Sequence, residues 1–155
     1  IMTACRVSHK LSGASIHVDA KTVSIAYSPN NAPMVAPILS TTLTDALQDR
    51  FARQTKLQLV SADDDPDLAF EGEITNYMTS PSSISGETAV MNRLTITVRV
   101  RFTNKLEPQW NYSRSFSAFE DYNTSNTLSE VEGTLIPDIV EKLVDDIFNA
   151  AVANW

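Results

Sequence analysis

An almost unbroken alternation of apolar and polar residues from position 90 to position 102 constrains the fold of this chain more than any other feature. Successive side chains of a β-strand point to opposite sides of the sheet, so this pattern indicates a strand with one buried and one solvated face. Residues 68–78 and 110–118 show the same period of two, and turn-forming residues fill positions 82–86 and 104–108 between the three segments. The sequence therefore predicts a meander of three antiparallel strands.

The alternation also assigns an inward side to each predicted strand. Glu71, Glu73 and Thr75 lie on the outward side of the predicted strand at residues 68–78. Serines occupy most outward positions of the predicted strand at residues 110–118. This predicts a core on one side of the sheet and a hydrophilic surface on the other. The residues predicted to face inward in the first and last strands are Leu68, Phe70, Ile74, Met78, Trp110, Tyr112, Phe116 and Ala118.

Two segments have the spacing of amphipathic helices. In residues 33–54 apolar side chains recur every four positions, and Asn31 is a candidate cap for the helix start. In residues 130–153 two adjacent apolar rows run the whole length, and Ser129 with Glu132 forms a potential capping box. Pro137 lies inside this second segment and predicts a kink or a late start near Thr134.

Short strands are predicted on both sides of the first helix, around Val23, Ile25 and Tyr27 and around Leu57 and Leu59. A strand–helix–strand order with short connections favours a parallel crossover. The predicted fold class is thus α/β in a two-layer α+β arrangement, with a mixed sheet of four to five strands and both helices packed on one face. Residues 1–20 are predicted to form an N-terminal arm, and residues 21–155 a single domain.

Charge and residue inventory exclude several classes of function. The net charge of −7 is opposite to the basic footprint of nucleic-acid-binding domains. One cysteine and two histidines, His9 and His17, provide no cysteine–histidine metal cluster, and both histidines lie in the predicted arm. No motif for a nucleophile elbow, a phosphate loop or a dinucleotide fold is present. We therefore expect neither an enzyme nor a bound metal or cofactor.

Two acidic groups leave alternatives open. Residues 63–65 and Asp67 form the densest acidic run, which is either a calcium loop or, as we favour, a solvated turn, because the glycine and distal glutamate of an EF-hand are absent. Glu71 and Glu73 are either an acid–base pair or part of the wet face of the sheet, where they oppose basic residues across the strands. We favour the second interpretation for both groups.

A local basic row stands out in this acidic chain. Arg93, Arg99 and Arg101 share one side of the longest predicted strand, and Lys105 follows. Arginine forks match phosphate oxygens, so the row is a candidate contact for phosphate or another anion. The alternative is ordinary cross-strand pairing with Glu71 and Glu73.

The sequence begins with a short pattern that resembles a bacterial lipobox. Met2, Thr3 and Ala4 precede Cys5, the sole cysteine of the chain. In a lipobox the signal peptide is cut before the cysteine, and acyl chains such as palmitate are attached to it. Cys5 is therefore the predicted lipidation site, and residues 1–4 the predicted end of a signal peptide. Such a lipid would tether the domain to a membrane.

The chain as a whole resembles the LptE family of outer-membrane lipoproteins. No single segment is decisive, but the ordered set covers nearly the whole chain from Cys5 onward. Because the family pattern has an ordinary helix former where this chain has Pro137, the start of the last helix is in doubt. The segments that carry the resemblance are residues 13–16, 21–25, 29–33, 70–74, 92–98, 143–149 and 154–155, ending in Asn154 and Trp155.

The resemblance implies a function as well as a fold. Members of this family have no enzymatic activity and no metal; they plug the lipopolysaccharide-export barrel LptD, assist its assembly and contact lipopolysaccharide. The implied location is the periplasmic side of a Gram-negative outer membrane. The competing interpretation is a generic periplasmic binding or adaptor domain with a fold like the amino-terminal domain of TolB.

Overall fold

The computed structural model of this protein describes residues 16–34 and 36–152. Cys5, His9, Val35 and Trp155 lie outside the described residues, as do most of the predicted arm and the predicted lipidation site. Two short 3₁₀ turns, Ala62–Asp64 and Pro108–Trp110, accompany the helices and strands. The helices and strands are, in chain order, β1 (Thr22–Ile25), α1 (Leu39–Gln54), β2 (Gln58–Leu59), β3 (Leu68–Ser85), β4 (Thr88–Asn104), β5 (Tyr112–Asn123) and α2 (Leu128–Val152).

The five strands form one mixed sheet in the order β2-β1-β3-β4-β5. β1 lies between β2 and β3 and is parallel to both, while the β3–β4 and β4–β5 pairs are antiparallel. The parallel pairing of β1 with β2 requires a crossover, which α1 provides. The predicted mixed sheet, the crossover and the antiparallel meander are all confirmed.

Both helices cover the same side of the sheet. The even-numbered apolar residues of β4, from Leu94 to Phe102, are buried, whereas Arg99 and Arg101 between them are exposed. α2 packs on β4 and β5, and α1 packs on β1 and α2. Phe51 of α1 contacts Phe70 of β3 and Phe148 of α2 at ring distances of 5.0 Å. The core therefore lies between one helical layer and one face of the sheet, as predicted.

The second helix is the main source of buried apolar surface. Each fully buried aliphatic or aromatic side chain contributes on the order of 1.5–3 kcal/mol. The predicted double row of α2 is buried in full: Leu135, Ile136, Ile139, Val140, Leu143, Val144, Ile147, Phe148, Ala151 and Val152.

Among the described residues neither helix combines the length and the apolar character needed to cross a membrane.

The start of α2 differs from the prediction by two residues. Thr127, not Ser129, caps the helix, because its side chain accepts a hydrogen bond from the Glu130 amide while Glu130 reaches back to the Thr127 amide. The helix begins at Leu128 and continues through Pro137. The predicted capping partner Glu132 instead faces the sheet and binds Tyr77. The predicted late start near Thr134 is therefore wrong.

The start of α1 also differs from the prediction. The helix begins at Leu39 rather than near residue 33, and Ile38 stands at its cap position without a side-chain hydrogen bond. Proline disfavours helical backbone in the residue before it, so Pro37 delays the helix. Asn31 does not cap the helix; its amide group donates to Glu73 on β3 at 2.9 Å.

A β-bulge in β3 reverses which residues face the core. The register with β4 shifts between Ile74 and Asn76, so one extra residue enters the strand at Thr75. Beyond this point Tyr77, not the predicted Met78, turns inward and is 2% exposed, while Met78 is 45% exposed. A one-residue slip moves every following side chain to the opposite face, and periodicity read along the sequence does not detect it.

Three smaller predictions also fail at strand ends. β1 ends at Ile25, so Tyr27 is exposed rather than inward-facing. Trp110 belongs to a 3₁₀ turn and stays at the surface, because β5 begins two residues later. The first hairpin is longer than predicted: its strands pair up to Ser85 and Thr88, and Gly86, with φ of 64°, takes the left-handed conformation of the tight turn.

Candidate functional site

The side of the sheet opposite the helices is rich in hydroxyl groups and charges. We call this surface the polar face and define it by the outward residues of β3, β4 and β5. Thr97 on β4 lies opposite Ser117 on β5, and their hydroxyl oxygens are 2.7 Å apart. The strand alternation predicted a polar surface here, but not the outward positions of Asn76 and Met78, which follow the bulge in β3. Its members are Glu71, Glu73, Asn76, Met78, Arg93, Thr95, Thr97, Arg99, Arg101, Ser113, Ser115, Ser117, Phe119 and Asp121.

A shallow groove of about 500 Å³ lies at one end of the polar face. The segment after β1 forms one wall, because Pro29 and Asn31 exchange backbone hydrogen bonds with Ile74 of β3. The floor is formed by the paired backbones of β3 and β4. The residues lining the groove are Pro29, Glu71, Gly72, Glu73, Arg99, Arg101 and Ser113.

Two arginines and two glutamates give this groove a balanced charge. Arg101 lies opposite Glu71 with 3.8 Å between a guanidinium nitrogen and a carboxylate oxygen. Arg99 lies opposite Glu73, whose carboxylate accepts the amide of Asn31. Among the described residues Arg99 forms no ion pair within 4 Å. The cross-strand arrangement predicted for the two glutamates is thus present, and the guanidinium of Arg99 keeps its donors available.

Arg93 stands at the far end of the same strand and is already engaged. Its guanidinium donates two hydrogen bonds to Asp121 on β5, at 2.9 and 3.3 Å, and lies 3.7 Å from the ring centre of Phe119. The hydrogen bond from Arg93 holds the pKa of the Asp121 carboxyl below its usual value. This bidentate pair makes Arg93 a poorer anion contact than the two arginines of the groove.

Lys105 is likewise engaged, at the end of β4. Its ammonium donates to Asp65 at 2.6 Å, and this hydrogen bond raises the pKa of the lysine. The acidic run is largely used within the fold: Ser61 and Asp64 cap the 3₁₀ turn, and Asp67 accepts the amides of Lys21 and Thr22. In residues 16–34 and 36–152 no cluster of histidine, cysteine or acidic side chains has metal-binding geometry.

His17 lies away from the polar face, beside a hollow of about 540 Å³ at the end of α1. Its Nδ1 accepts the backbone amide of Asp19 at 3.1 Å. Within residues 16–34 and 36–152, no serine or cysteine lines this hollow. His17 therefore belongs to a turn beside the end of α1.

The aromatic and basic residues at the β5 edge were not among the site residues predicted from the sequence. Phe119 continues the outward positions of β5 after Ser117, so the alternation could have placed it on the polar face. Lys142 of α2 donates to the Phe119 carbonyl at 2.8 Å and to Glu120 at 2.7 Å. Arg114 lies 4.8 and 4.9 Å from the ring centres of Tyr112 and Phe116. No sequence pattern links Lys142 to β5, because the two are joined only through the helix packing.

Solved structures of several bacterial lipoproteins have a similar fold. A minor lipoprotein from Acinetobacter baumannii is 20% identical with a TM-score of 0.50, covering 87% of this chain and 94% of its own. The rare lipoprotein B from Shewanella oneidensis is 13% identical with a TM-score of 0.57, covering 83% and 92%. An uncharacterized lipoprotein B from Nitrosomonas europaea is 11% identical with a TM-score of 0.55, covering 89% and 90%. At these identities the likeness shows the fold alone.

Sequence comparison adds the family. The comparison with curated proteins gives no match. The family described as LptE, lipopolysaccharide-assembly, matches residues 20–151. That range contains all five strands and nearly all of α2, so it covers the whole sheet and its helical layer. The chain therefore belongs to the LptE family of lipopolysaccharide-assembly proteins.

Proposed function

We propose that this chain is a non-catalytic lipoprotein of a Gram-negative outer membrane, held on the periplasmic side by a lipid on Cys5. There it plugs an LptD-type barrel, assists the assembly of that barrel and contacts lipopolysaccharide during its insertion. The observation that carries this proposal is the family match over residues 20–151, together with a sheet whose polar face carries neither of the two described helices.

The polar face suits contact with the lumen of a barrel. The interiors of large outer-membrane barrels are hydrophilic, so a plug needs a rigid core and a polar exterior. Here Thr95, Thr97, Ser115 and Ser117 place short hydroxyl side chains at neighbouring positions of β4 and β5. The aromatic chain from Phe148 through Phe51, Phe70 and Phe102 stiffens the core behind it.

Arg99 and Arg101 are the proposed contacts for the phosphate groups of lipopolysaccharide. Of the four basic residues singled out in the sequence, Arg93 and Lys105 have short carboxylate hydrogen bonds, whereas Arg101 has only a 3.8 Å contact and is well exposed. Exposed ion pairs are worth about 0–1 kcal/mol, so a phosphate can displace Glu71 from Arg101 at little cost. Arg93 and Lys105 would then serve as secondary contacts.

Depletion of the protein tests the barrel assignment. If the proposal holds, an LptD-type barrel co-purifies with this chain from outer membranes and fails to assemble when the chain is depleted. A normally assembled barrel in depleted cells, with a different periplasmic partner recovered instead, would support the adaptor alternative with a TolB-like fold.

Charge reversal tests the lipopolysaccharide contact. The double variant Arg99→Glu with Arg101→Glu should weaken lipopolysaccharide binding, with a dependence on salt that is smaller than in the unchanged protein. The matched control is Arg53→Glu, which reverses an exposed arginine on the helical layer. Equal binding by both variants and the unchanged protein would remove Arg99 and Arg101 from the site.

The tether has its own test. Cys5→Ser should leave the domain folded, as judged by circular dichroism, but release it from the membrane fraction, because the acyl chains contribute about 0.8 kcal/mol per buried methylene. Retention of the Cys5→Ser protein in washed membranes would contradict lipidation at this residue.

A further inference from the structure

The outermost strand β5 presents a long open edge. It pairs with β4 over all twelve of its residues without a register shift. On its other side no described strand follows, because β5 is the last strand in the order. A strand at the end of a sheet carries a row of backbone donors and acceptors that another strand can pair with.

Two hydrogen bonds identify which residues of β5 face this edge. The amide of Thr124 donates to the carbonyl of Val90 on β4, so the even-numbered residues of β5 direct their backbone N–H and C=O groups toward β4. The carbonyl of Phe119 accepts from Lys142, which comes from outside the sheet. Backbone groups alternate between the two sides of a strand. The backbone groups that point away from β4 therefore belong to the odd-numbered residues. We call these residues the open edge: Ser113, Ser115, Ser117, Phe119 and Asp121.

The usual protections against edge pairing are missing over most of this edge. Native proteins block such edges with proline, bulges or lysine side chains. Residues 112–123 contain no proline and no lysine, and the β4–β5 ladder has no bulge. Within the described residues Lys142 is the one side chain that hydrogen-bonds to an outward carbonyl, that of Phe119. The serines at 113, 115 and 117 are small enough for a second backbone to approach.

The sequence of β5 is complementary to itself about Ser117. If two copies pair in antiparallel orientation with Ser117 opposite Ser117, then Ser115 lies opposite Phe119 and both are open-edge residues. In the same register Arg114 lies opposite Glu120. The open-edge residues form the hydrogen-bonded pairs, and Arg114 and Glu120 fall at non-hydrogen-bonded positions, where side chains are closest.

The side chains at these positions fit such a pairing. Arg114 is exposed and, within the described residues, forms no ion pair. Glu120 is paired with Lys142, a contact that an arginine from a second copy can replace. The ring of Phe119 is 43% exposed beside the edge and would be covered by the second strand.

We propose that the open edge is an interaction surface for a second copy of this chain, paired antiparallel about Ser117 so that two sheets become one. Lys142 must leave the Phe119 carbonyl for the pairing to form, and it therefore limits the affinity. An interface of one strand pair is small, which gives a weak, concentration-dependent dimer. This inference does not rest on the proposed function, because it concerns the free protein and not its complex with a barrel.

Sedimentation velocity across a wide range of protein concentration tests the proposal. The measurement uses the Cys5→Ser chain, which removes disulfide-linked dimers. Arg114→Glu and Glu120→Arg should each raise the dimer dissociation constant at least about tenfold, because each places like charges together twice in the symmetric pair. The double variant restores opposite charges and should return to within about threefold of the starting value.

Backbone variants test the edge itself. Ser115→Pro removes an outward amide, which β4 does not use, and should abolish the dimer, while Ser115→Ala keeps the amide and should preserve it. Lys142→Ala should strengthen the dimer. A chain that stays monomeric at high concentration overturns the proposal, and so does a dimer in which the charge-reversed double variant is no better than its single variants. The charge variants decide the outcome if Ser115→Pro does not fold.

Discussion

The Tyr77 hydroxyl donates a 2.7 Å hydrogen bond to the carboxylate of Glu132, joining β3 to the first turns of α2 across 55 residues of chain. This contact exists because the bulge at Thr75 turns Tyr77 toward the helices. The ring is buried, and the hydroxyl has a charged acceptor. The bulge is therefore what ties the long hairpin to the helical layer.

Tyr77→Phe should destabilise the protein by about 1–2 kcal/mol. The substitution keeps the buried ring and removes only the hydroxyl, so the loss reports a single hydrogen bond to a charged group. Chemical denaturation measures this loss, and the slope of the free energy of unfolding against denaturant concentration should stay unchanged. A free energy of unfolding equal to that of the unchanged protein would mean that solvent replaces the hydroxyl at Glu132 without loss.

Tyr112→Phe should stabilise the protein, in contrast to Tyr77→Phe. The Tyr112 hydroxyl is buried and has no hydrogen-bond partner among the described residues. A buried polar group without a partner costs about 1–3 kcal/mol, so its removal should stabilise the protein by on the order of 1 kcal/mol. Tyr77→Phe is the matched control, since the same chemical change is made at a satisfied site. Destabilisation by Tyr112→Phe would show that the hydroxyl has a partner in solution.

The two tyrosines also predict an alkaline limit to stability. Burial raises the pKa of both phenols above the ordinary value of 10.0. A raised pKa means that the folded state favours the neutral phenol more than the unfolded state does. The free energy of unfolding is therefore unaffected by this titration below pH 10.0 and falls as the pH rises above that value. The variant with Phe at both positions should therefore lose less stability between neutral and strongly alkaline pH. Parallel alkaline curves for the two proteins would contradict this.

Gly72→Ala should destabilise the protein by about 1–3 kcal/mol. A β-carbon at this position would lie 2.7 Å from the Ser28 hydroxyl oxygen, and Ser28 is buried beside α1. Overpacking of this kind forces shifts in the neighbouring backbone. In a Ser28→Ala background the same substitution should cost about 1 kcal/mol less, which a double-mutant cycle measures. An identical cost in both backgrounds would place the strain elsewhere.

Asp67 should stabilise the protein only above its titration range. The backbone hydrogen bond from Lys21, with further hydrogen bonds from Thr22, lowers the pKa of the Asp67 carboxyl against the opposing effect of burial. A lowered pKa means that the contribution is present above the ordinary value of 3.8 and is lost as the pH falls through the folded-state pKa.

Asp67→Ala should therefore cost about 1.5 kcal/mol at neutral pH, where the carboxylate holds the start of β1 against β3. The cost should shrink below about pH 4. Asp63→Ala is the control, because the Asp63 side chain is exposed and caps nothing; its effect should stay within about 0.5 kcal/mol at every pH. A pH-independent cost for Asp67→Ala would mean that shape, and not charge, matters at this site.

The sequence by itself determined the layers of this protein. Period-two alternation in β4 and β5 and the double apolar row of α2 each leave one apolar side, and such sides are stable only when packed together. The resemblance in ordered segments likewise indicated the LptE family. These features are local or ordered along the chain, so they can be read from the sequence directly.

Only the tertiary structure decided which side chains meet. The extra residue at Thr75 exchanged Met78 for Tyr77 in the core, and the packing of α2 brought Lys142 to the edge of β5. The basic row predicted from spacing became two engaged residues, Arg93 and Lys105, and two groove residues, Arg99 and Arg101. Pairing partners lie far apart in sequence, and their choice depends on register and helix placement, which no local pattern encodes.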